Sequence, residues 1–333
     1  MLMASDVSVV IPSYNSRETV KECLDSLLAQ QSLPREIIVV DSSSDDSPDL
    51  IAKYFPMVQM IRSDHRLFPG PARNIGARAA QGAILAFIDA DCIASPDWVQ
   101  RMAMEHAAGH LIVGGGIEVG NPASVVGWAG HLSEFRQFVP LGKSRPMMHV
   151  PTCNISYRKT LFDANGGFSS SYYPQEDLLF NYLLYQQGQS VWFNPSIRVR
   201  HFCRERLREY LSHQHRIGRV TFCALRWMDL PGATIARLPR LIGIAAPALG
   251  ALRLARILSF SLKRFPQQLL CHPALTGVLW LGIVWWMRGC AARTKTGLSG
   301  SKIRGWDELD EQMLTKKFTQ EKFQAIDHGN PLL

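Results

Sequence analysis

No C-x-x-C pair occurs among the seven cysteines of this sequence, Cys23, Cys92, Cys153, Cys203, Cys223, Cys271 and Cys290. An odd, scattered set argues against a disulfide framework or a zinc site and fits a reduced, intracellular chain. The N-terminus, MLMASDVSVVIPSYN, lacks a charged n-region, an apolar h-region and a small-residue cleavage site. The N-terminal half is therefore expected in the cytosol. Also missing are an internal repeat of solenoid length, a low-complexity tract and a glycine-rich, Lys-bearing phosphate loop near the N-terminus. The basic stretch holding Arg204, Arg206, Arg208, His213, His215, Arg216 and Arg219 has a single aromatic within it, Tyr210, and no nucleic-acid motif. The net charge of +8 is thus not read as RNA or DNA binding, which leaves phosphorylated ligands or an anionic membrane surface as its partners.

What is present is a chain of 333 residues, 47% of them hydrophobic, enough to bury a large core. Val7 to Ile11 and Glu36 to Val40 are β-branched runs of the kind found in buried parallel strands. Between them Asn15 and Ser16 can cap a helix whose apolar stripe is Val20, Leu24, Leu27 and Leu28. Ser47-Pro48-Asp49 opens a second helix, Val58 to Ile61 reads as a third strand, Ala72 to Gln81 as a helix stopped by Gly82, and Ala83 to Ile88 as a fourth strand. Ser95-Pro96-Asp97 repeats the helix-start signal. This alternation predicts an α/β fold with a Rossmann-like, mostly parallel central sheet, helices on both faces and ligands beyond the strands' carboxyl ends. Past residue 110 the pattern loosens into a glycine run, Gly114 to Gly116, and a Pro-, Gly- and basic-rich loop from Asn121 to His149 suited to an acceptor-binding insertion. Glu176 to Gln187 has helical spacing, and Val191 to Arg200 returns as a strand.

The residues able to do chemistry cluster at strand ends. Asp41, followed by Ser42, Ser43 and Ser44, reads either as a turn and cap or as a carboxylate facing a nucleobase N–H. Asp89-Ala90-Asp91 ends an apolar strand with two carboxylates, whose hard oxygens suit Mg²⁺ or Mn²⁺ that also takes diphosphate oxygens. Arg73 and Asn74 can pair with phosphate or the aspartates, or lie on a solvated helix face. Glu176-Asp177 opens a helix, where acids are good dipole partners without any catalytic duty. A lone histidine such as His201, after the strand Ile197 to Arg200, is more often structural than a ligand.

Taken in order, VSVVIPSYNS, IIVVDSSSDDS, PARNIGARAAQG, AFIDADC, CNISYRKTLFDANGGF and YPQEDLLFNYLLYQQG resemble the family-2 glycosyltransferases of GT-A fold over roughly residues 7 to 219. The resemblance implies an inverting transferase moving one sugar from a nucleoside-diphosphate sugar, a uridine diphosphate sugar first, to a hydroxyl acceptor, with Mn²⁺ or Mg²⁺ as cofactor. It places Pro12 and Tyr14 along the nucleotide pocket, Asp41 at the base and Arg73 near the donor. Asp89 falls near the ribose and at the metal, Asp91 on the metal, and His201 completes the metal site. Asp177 matches the general base, with Glu176 orienting it or the acceptor, and Arg216 and Arg219 would lie over the diphosphate. Two departures stand out. The DDGS-type continuation is here Asp41-Ser42-Ser43-Ser44-Asp45, and the Q-x-x-R-W motif of processive synthases is only echoed by Gln214 and Arg216, which favours single-sugar transfer. A nucleotidyltransferase and a silent nucleotide-sugar-binding scaffold are the rival readings.

The composition changes after residue 230: Leu241 to Leu252 and Leu269 to Met287 are apolar, and the latter would reach about 28 Å as a helix, just short of a bilayer core. Leu241 to Leu252 is too short to span unless extended through Arg253 and Arg256. Lys263 and Arg264 before the second stretch, and Arg288, Arg293 and Lys295 after it, set no direction of crossing. The expected layout is a catalytic domain over 1–230, a hydrophobic helical membrane-associated region over 231–290, peripheral or monotopic on the cytoplasmic face with a spanning hairpin and a buried subdomain as the alternatives, and a polar tail over 291–333. An acceptor that is lipid-linked or part of an envelope glycan follows from that location.

Overall fold

The computed structural model describes residues 2–170, 172–230, 232–238 and 242–295, so all but the start of the expected polar tail lies outside the described residues. The chain begins with β1 (Val7–Ser13), α1 (Val20–Leu28), β2 (Glu36–Asp41), α2 (Ser47–Tyr54), β3 (Gln59–Arg62), α3 (Pro69–Ala79) and β4 (Ile84–Phe87). It continues through β5 (Cys92–Ala94), α4 (Trp98–Ala107), β6 (Ile112–Val119), α5 (Val125–Glu134), β7 (Arg145–Met147), β8 (Ile155–Arg158), α6 (Lys159–Ala164), α7 (Glu176–Gln186) and β9 (Val191–His201). Five helices follow: α8 (Leu207–Trp227), α9 (Ala233–Arg237), α10 (Ile242–Arg264), α11 (Pro266–Cys271) and α12 (Leu275–Lys295).

The strands form one sheet in the order β3-β2-β1-β4-β8-β6-β9-β5, with β7 paired to β9. The parallel part is β3-β2-β1-β4, where Val9, Val10, Ile38, Val39, Leu85 and Ala86 are fully or almost fully buried between helix layers. From β4 onward the sheet is mixed: β8 runs antiparallel to β4 and β6, β9 parallel to β6, and β5 antiparallel to β9. The chain travels outward from β1 to β3 and returns to the other side of β1 as β4. Beyond the carboxyl ends of β1 and β4, neighbouring connections therefore diverge and leave a crevice. The Ser13-Tyr14 turn and Asp89 to Asp91 stand at its mouth.

Several local expectations shift. The N-cap of α1 is Thr19, with no side-chain cap bond, while Asn15 adopts φ 51° and its Oδ1 accepts from Ser44 N at 2.9 Å. Asn15 thus ties the β1 loop to the β2 loop. The glycine run is the middle of β6, where a Cβ on Gly115 would sit 2.1 Å from Ile197 O of β9. The Asn121 to His149 stretch contains α5, capped by Ser124 Oγ accepting from Gly127 N at 3.0 Å, and β7. Gly127 and Gly130 hide that helix in the sequence, since glycine disfavours helix interiors.

At the C-terminal end, α10 does continue from the first apolar stretch through Arg253 and Arg256, and α11 separates it from α12. Segments Ala245–Arg264 and Leu275–Ala292 are long and apolar enough to cross a membrane, and the rest of the protein buries only 17% and 33% of them. They are not detached from the rest of the chain. A Cβ on Gly218 of α8 would lie 2.1 Å from Trp286 O, and one on Gly289 of α12 would lie 2.1 Å from His215 O. The two helices therefore touch backbone to backbone. Trp128 and Leu132 of α5 share a core cluster with Tyr210, Ile257, Leu279 and Ile283.

Gly76 in α3 makes a comparable approach to the sheet, since a Cβ there would come within 2.3 Å of Val10 Cγ1 in β1. Helix propensity alone would favour alanine by up to about 1 kcal/mol. Overpacking predicts the opposite sign: Gly76→Ala should destabilise the protein by about 1–3 kcal/mol in a denaturant titration. A neutral or stabilising result would refute this packing.

Candidate active site

Arg73 organises the crevice. It lies on the buried face of α3, 3% exposed, and its two terminal nitrogens donate in opposite directions. One reaches Asp89 Oδ1 at 2.5 Å, just past β4, and the other reaches Glu176 Oε1 at 3.1 Å, the first residue of α7. Charge-assisted bonds of this kind are strong when shielded from water. They fix the strand end and the helix start against each other. Among the described residues Arg73 Nε and Glu176 Oε2 have no partner, so the pairing is charge-compensated but not fully hydrogen-bonded. Burial first, and the neighbouring Asp177 charge second, push the Glu176 carboxyl up to about 7, with Arg73 pulling the other way.

The two acids of the Asp89-Ala90-Asp91 motif have different surroundings. Asp89 has Oδ1 committed to Arg73. Asp91 is 41% exposed, and its Oδ1 lies 3.6 Å from His201 Nε2. Antiparallel pairing of β5 with β9 sets Cys92 opposite His201 and so brings this histidine to the aspartate across more than a hundred residues of sequence. Asp91, Cys92 and His201 offer ligand atoms within 4.8 Å of one another, a group that does not include Asp89. Burial first, then a hydrogen bond with Cys153, raises the Cys92 thiol well above its ordinary range, which leaves the carboxylate and the imidazole as the usable ligands. An oxygen and nitrogen pair with open positions suits Mn²⁺, so the residues present fit a divalent ion.

Asp177 is half-buried and faces the same crevice. Its Oδ2 accepts from Thr152 N at 3.1 Å and Thr152 Oγ1 at 3.3 Å, and its Oδ1 from Leu178 N at 2.7 Å. All three partners are donors to a fixed acceptor. Glu176, expected to orient the base or the acceptor, instead turns inward onto Arg73.

On the nucleotide side, Pro12 and Tyr14 line the crevice, and the Arg66 guanidinium stacks 4.4 Å from the Tyr14 ring centroid. Asp41 lies behind that wall rather than in it. It is fully buried, with Oδ2 accepting from Ser13 Oγ and Ser43 Oγ, and Oδ1 from Ser43 N and Arg62. Its observed work is to clamp the loops after β1 and β2. Arg216 lines the crevice with Arg204, and both also border a smaller pocket with Tyr14 and Arg66. Arg219 is not among the lining residues, because its backbone lies against α12 at Gly289.

Sequence reasoning missed Glu134 at the end of α5. Its carboxylate accepts from Gln214 Nε2 at 2.8 Å and pairs with His213 Nε2 at 3.2 Å, linking α5 to α8. Burial would raise its pKa, but the charge and hydrogen bond of His213 and the charges of Arg204 and His201 outweigh that and lower it, while burial in turn lowers His213. Also missed were Arg136, Arg253 and Arg256, which line the same cleft of about 1120 Å³. No sequence pattern joins residues so far apart.

Residues 8–166 match the family model described as Glycosyl transferase family 2. Glycosyltransferase AglE of Haloferax volcanii is 28% identical over 222 residues, covering 64% of this chain and 72% of that protein. Succinoglycan biosynthesis protein ExoO of Rhizobium meliloti is 40% identical over 99 residues, 29% of this chain and 28% of its own. Among solved structures, the mannosyltransferase PcManGT from Pyrobaculum calidifontis, in complex with GDP-Man and Mn²⁺, superposes with a TM-score of 0.57. It is 18% identical and covers 87% of each chain, a likeness of fold.

The raised Glu176 carboxyl has a consequence for stability. The folded protein keeps this proton to higher pH than the unfolded chain, so its contribution to stability declines as pH rises from about 4.5 to about 7. Glu176→Gln removes the titration while leaving an acceptor for Arg73. Thermal unfolding followed across that window should show a flatter decline and a higher midpoint at pH 8 than wild type. Parallel pH profiles for the two proteins would place the charge cost elsewhere.

Proposed function

We propose that this chain, whose residues 8–166 match the Glycosyl transferase family 2 model and whose fold is like that of a solved mannosyltransferase, moves a single sugar, with inversion, from a nucleoside-diphosphate sugar to a hydroxyl acceptor. The observation that supports this most is the Arg73 bridge, which holds the aspartate-rich strand end and the Asp177 helix start on one cleft. Donor and acceptor would meet between them. The base would lie by Tyr14 and Arg66, a uridine diphosphate donor being the first choice, and the diphosphate within reach of Arg204 and Arg216. Asp91 and His201 would hold Mn²⁺ or Mg²⁺, which when bound neutralises charge on the leaving diphosphate. Asp177 accepts the proton of the acceptor hydroxyl as its oxygen attacks the anomeric carbon. The Thr152 bonds keep that carboxylate aimed, which is the positional part of the rate.

Residues 1–230 would form the catalytic unit and 231–290 a membrane-associated one, lying on the cytoplasmic face with α10 and α12 presenting their uncovered apolar sides to lipid. A lipid-linked or envelope-glycan acceptor is consistent with that placement.

Replacing the proposed base by its amide, Asp177→Asn, keeps an oxygen for Thr152 and should lower turnover about 10²- to 10⁴-fold with donor binding unchanged by calorimetry. A near wild-type rate would remove Asp177 from the mechanism. Asp91→Ala should abolish Mn²⁺-dependent binding of the nucleotide sugar in the same titration. Identical isotherms for variant and wild type would move the metal elsewhere. A donor screen that yields free sugar rather than pyrophosphate separates glycosyl transfer from nucleotidyl transfer.

A further inference from the structure

Among the described residues three arginines of the cleft form no direct ion pair, although the Glu134 carboxylate is near enough to act on the charge of Arg253. Arg136, just past α5, is half-buried and donates only to the carbonyls of Leu132 and Ser133, at 3.4 and 3.3 Å. Arg253 of α10 reaches the Ser133 carbonyl at 3.4 Å and lies over the Trp286 ring, 4.5 Å from its centroid. Arg256, one turn further along α10, is exposed and lines the same cleft. Among the described residues none of the three forms an ion pair with a carboxylate. The nearby acid, Glu134, is already taken by His213 and Gln214. Burial first, and then the charges of Arg253 and Arg256, lower Arg136 to about 10.

The lining of the cleft changes on either side of these arginines. Toward the sheet it is acidic, with Asp89, Asp91 and Asp177. Toward the C-terminal helices it becomes an apolar groove formed by Phe222 and Leu225 of α8, Leu249 and Leu252 of α10, and Trp286 and Met287 of α12. This groove lies between the two helices whose length and composition suit a membrane. Arg204 and Arg216 line the same cleft but also border a smaller pocket with Tyr14 and Arg66, to which Arg136, Arg253 and Arg256 do not contribute.

We propose that Arg136, Arg253 and Arg256 form a second anion site that binds the phosphate of a lipid-phosphate acceptor, with the hydrocarbon tail in the apolar groove and the hydroxyl-bearing head toward Asp177. Guanidinium groups suit phosphate because several N–H donors meet its oxygens at once, and the energy is greatest where water is thin. A wholly apolar ligand would leave the three charges uncompensated, and a soluble sugar phosphate would leave the groove unfilled. An amphiphile with an anionic junction satisfies both ends. The inference rests on the proposed glycosyl transfer for its purpose but not for its test, which measures binding without donor.

The full chain in neutral-lipid nanodiscs is titrated with farnesyl phosphate, farnesol and inorganic phosphate. Farnesyl phosphate should bind at least about tenfold more tightly than either control, and Arg136→Gln and Arg256→Gln should each weaken it by about tenfold, the order of one charge-assisted contact. Binding of the nucleotide sugar with Mn²⁺ should be unchanged in both variants, which shows that they fold. Arg256→Gln alters an exposed side chain and so serves even where Arg136→Gln disturbs packing. Unchanged farnesyl phosphate binding in Arg256→Gln, or farnesol binding as tightly as its phosphate, overturns the site. Inorganic phosphate matching farnesyl phosphate would show a free-phosphate site and overturn the lipid assignment. Failure of every nucleotide sugar to bind, with farnesyl phosphate still binding as described, would sink the transferase reading and leave this site standing.

Discussion

A buried guanidinium between two carboxylates is the constraint on which this cleft depends. Arg73 cannot shed its charge, and water is excluded from it, so Asp89 and Glu176 must stay where they are or leave a buried ion unpaired. Asp89 belongs to the end of a parallel strand and Glu176 to the start of a helix 87 positions later in sequence. One side chain therefore sets the distance between the half of the cleft assigned to the donor and the half assigned to the acceptor. Arg73 Nε and Glu176 Oε2 have no hydrogen-bond partner among the described residues, so the network is only partly satisfied.

The N-terminal α/β alternation was legible because its signals are local. β-branched runs such as Val7 to Ile11 and Ile37 to Val40 can be satisfied only between two helix layers, and Ser47-Pro48 starts a helix wherever it stands. The mixed half of the sheet was not legible to the same degree. Strand β6 carries three consecutive glycines, which read as a loop until Ile197 and Val150 are seen to occupy the space their side chains would need. Helix α5 is disguised for a related reason, since its glycines admit close neighbours at the expense of helical propensity.

Within the site, residue types were readable where a strand end exposes them, and their division of labour was not. Asp89 and Asp91 look alike in sequence, yet one is held by Arg73 and the other stands near His201. The difference comes from β5 and β9 pairing, which no periodicity encodes. Asp41 shows the reverse: a carboxylate at a strand's carboxyl end whose four bonding partners enclose it completely. Glu134, Arg136, Arg253 and Arg256 become neighbours only when α10 packs against α5, so their association was invisible before the tertiary structure.

The backbone contact of α8 with α12 through Gly218 and Gly289 has a further consequence. Helices that touch this closely cannot slide or tilt independently, so the apolar end of the molecule and the aspartates are parts of one rigid frame. If α12 rests on lipid, the height of Asp177 above the hydrocarbon is a constant of the fold. For the proposed transfer the cleft would then work as a ruler: an acceptor anchored in the groove would present its hydroxyl to Asp177 only when its head group has the right reach. Selection by span would accompany selection by chemistry, and a head group lengthened by the added sugar would no longer fit the gauge.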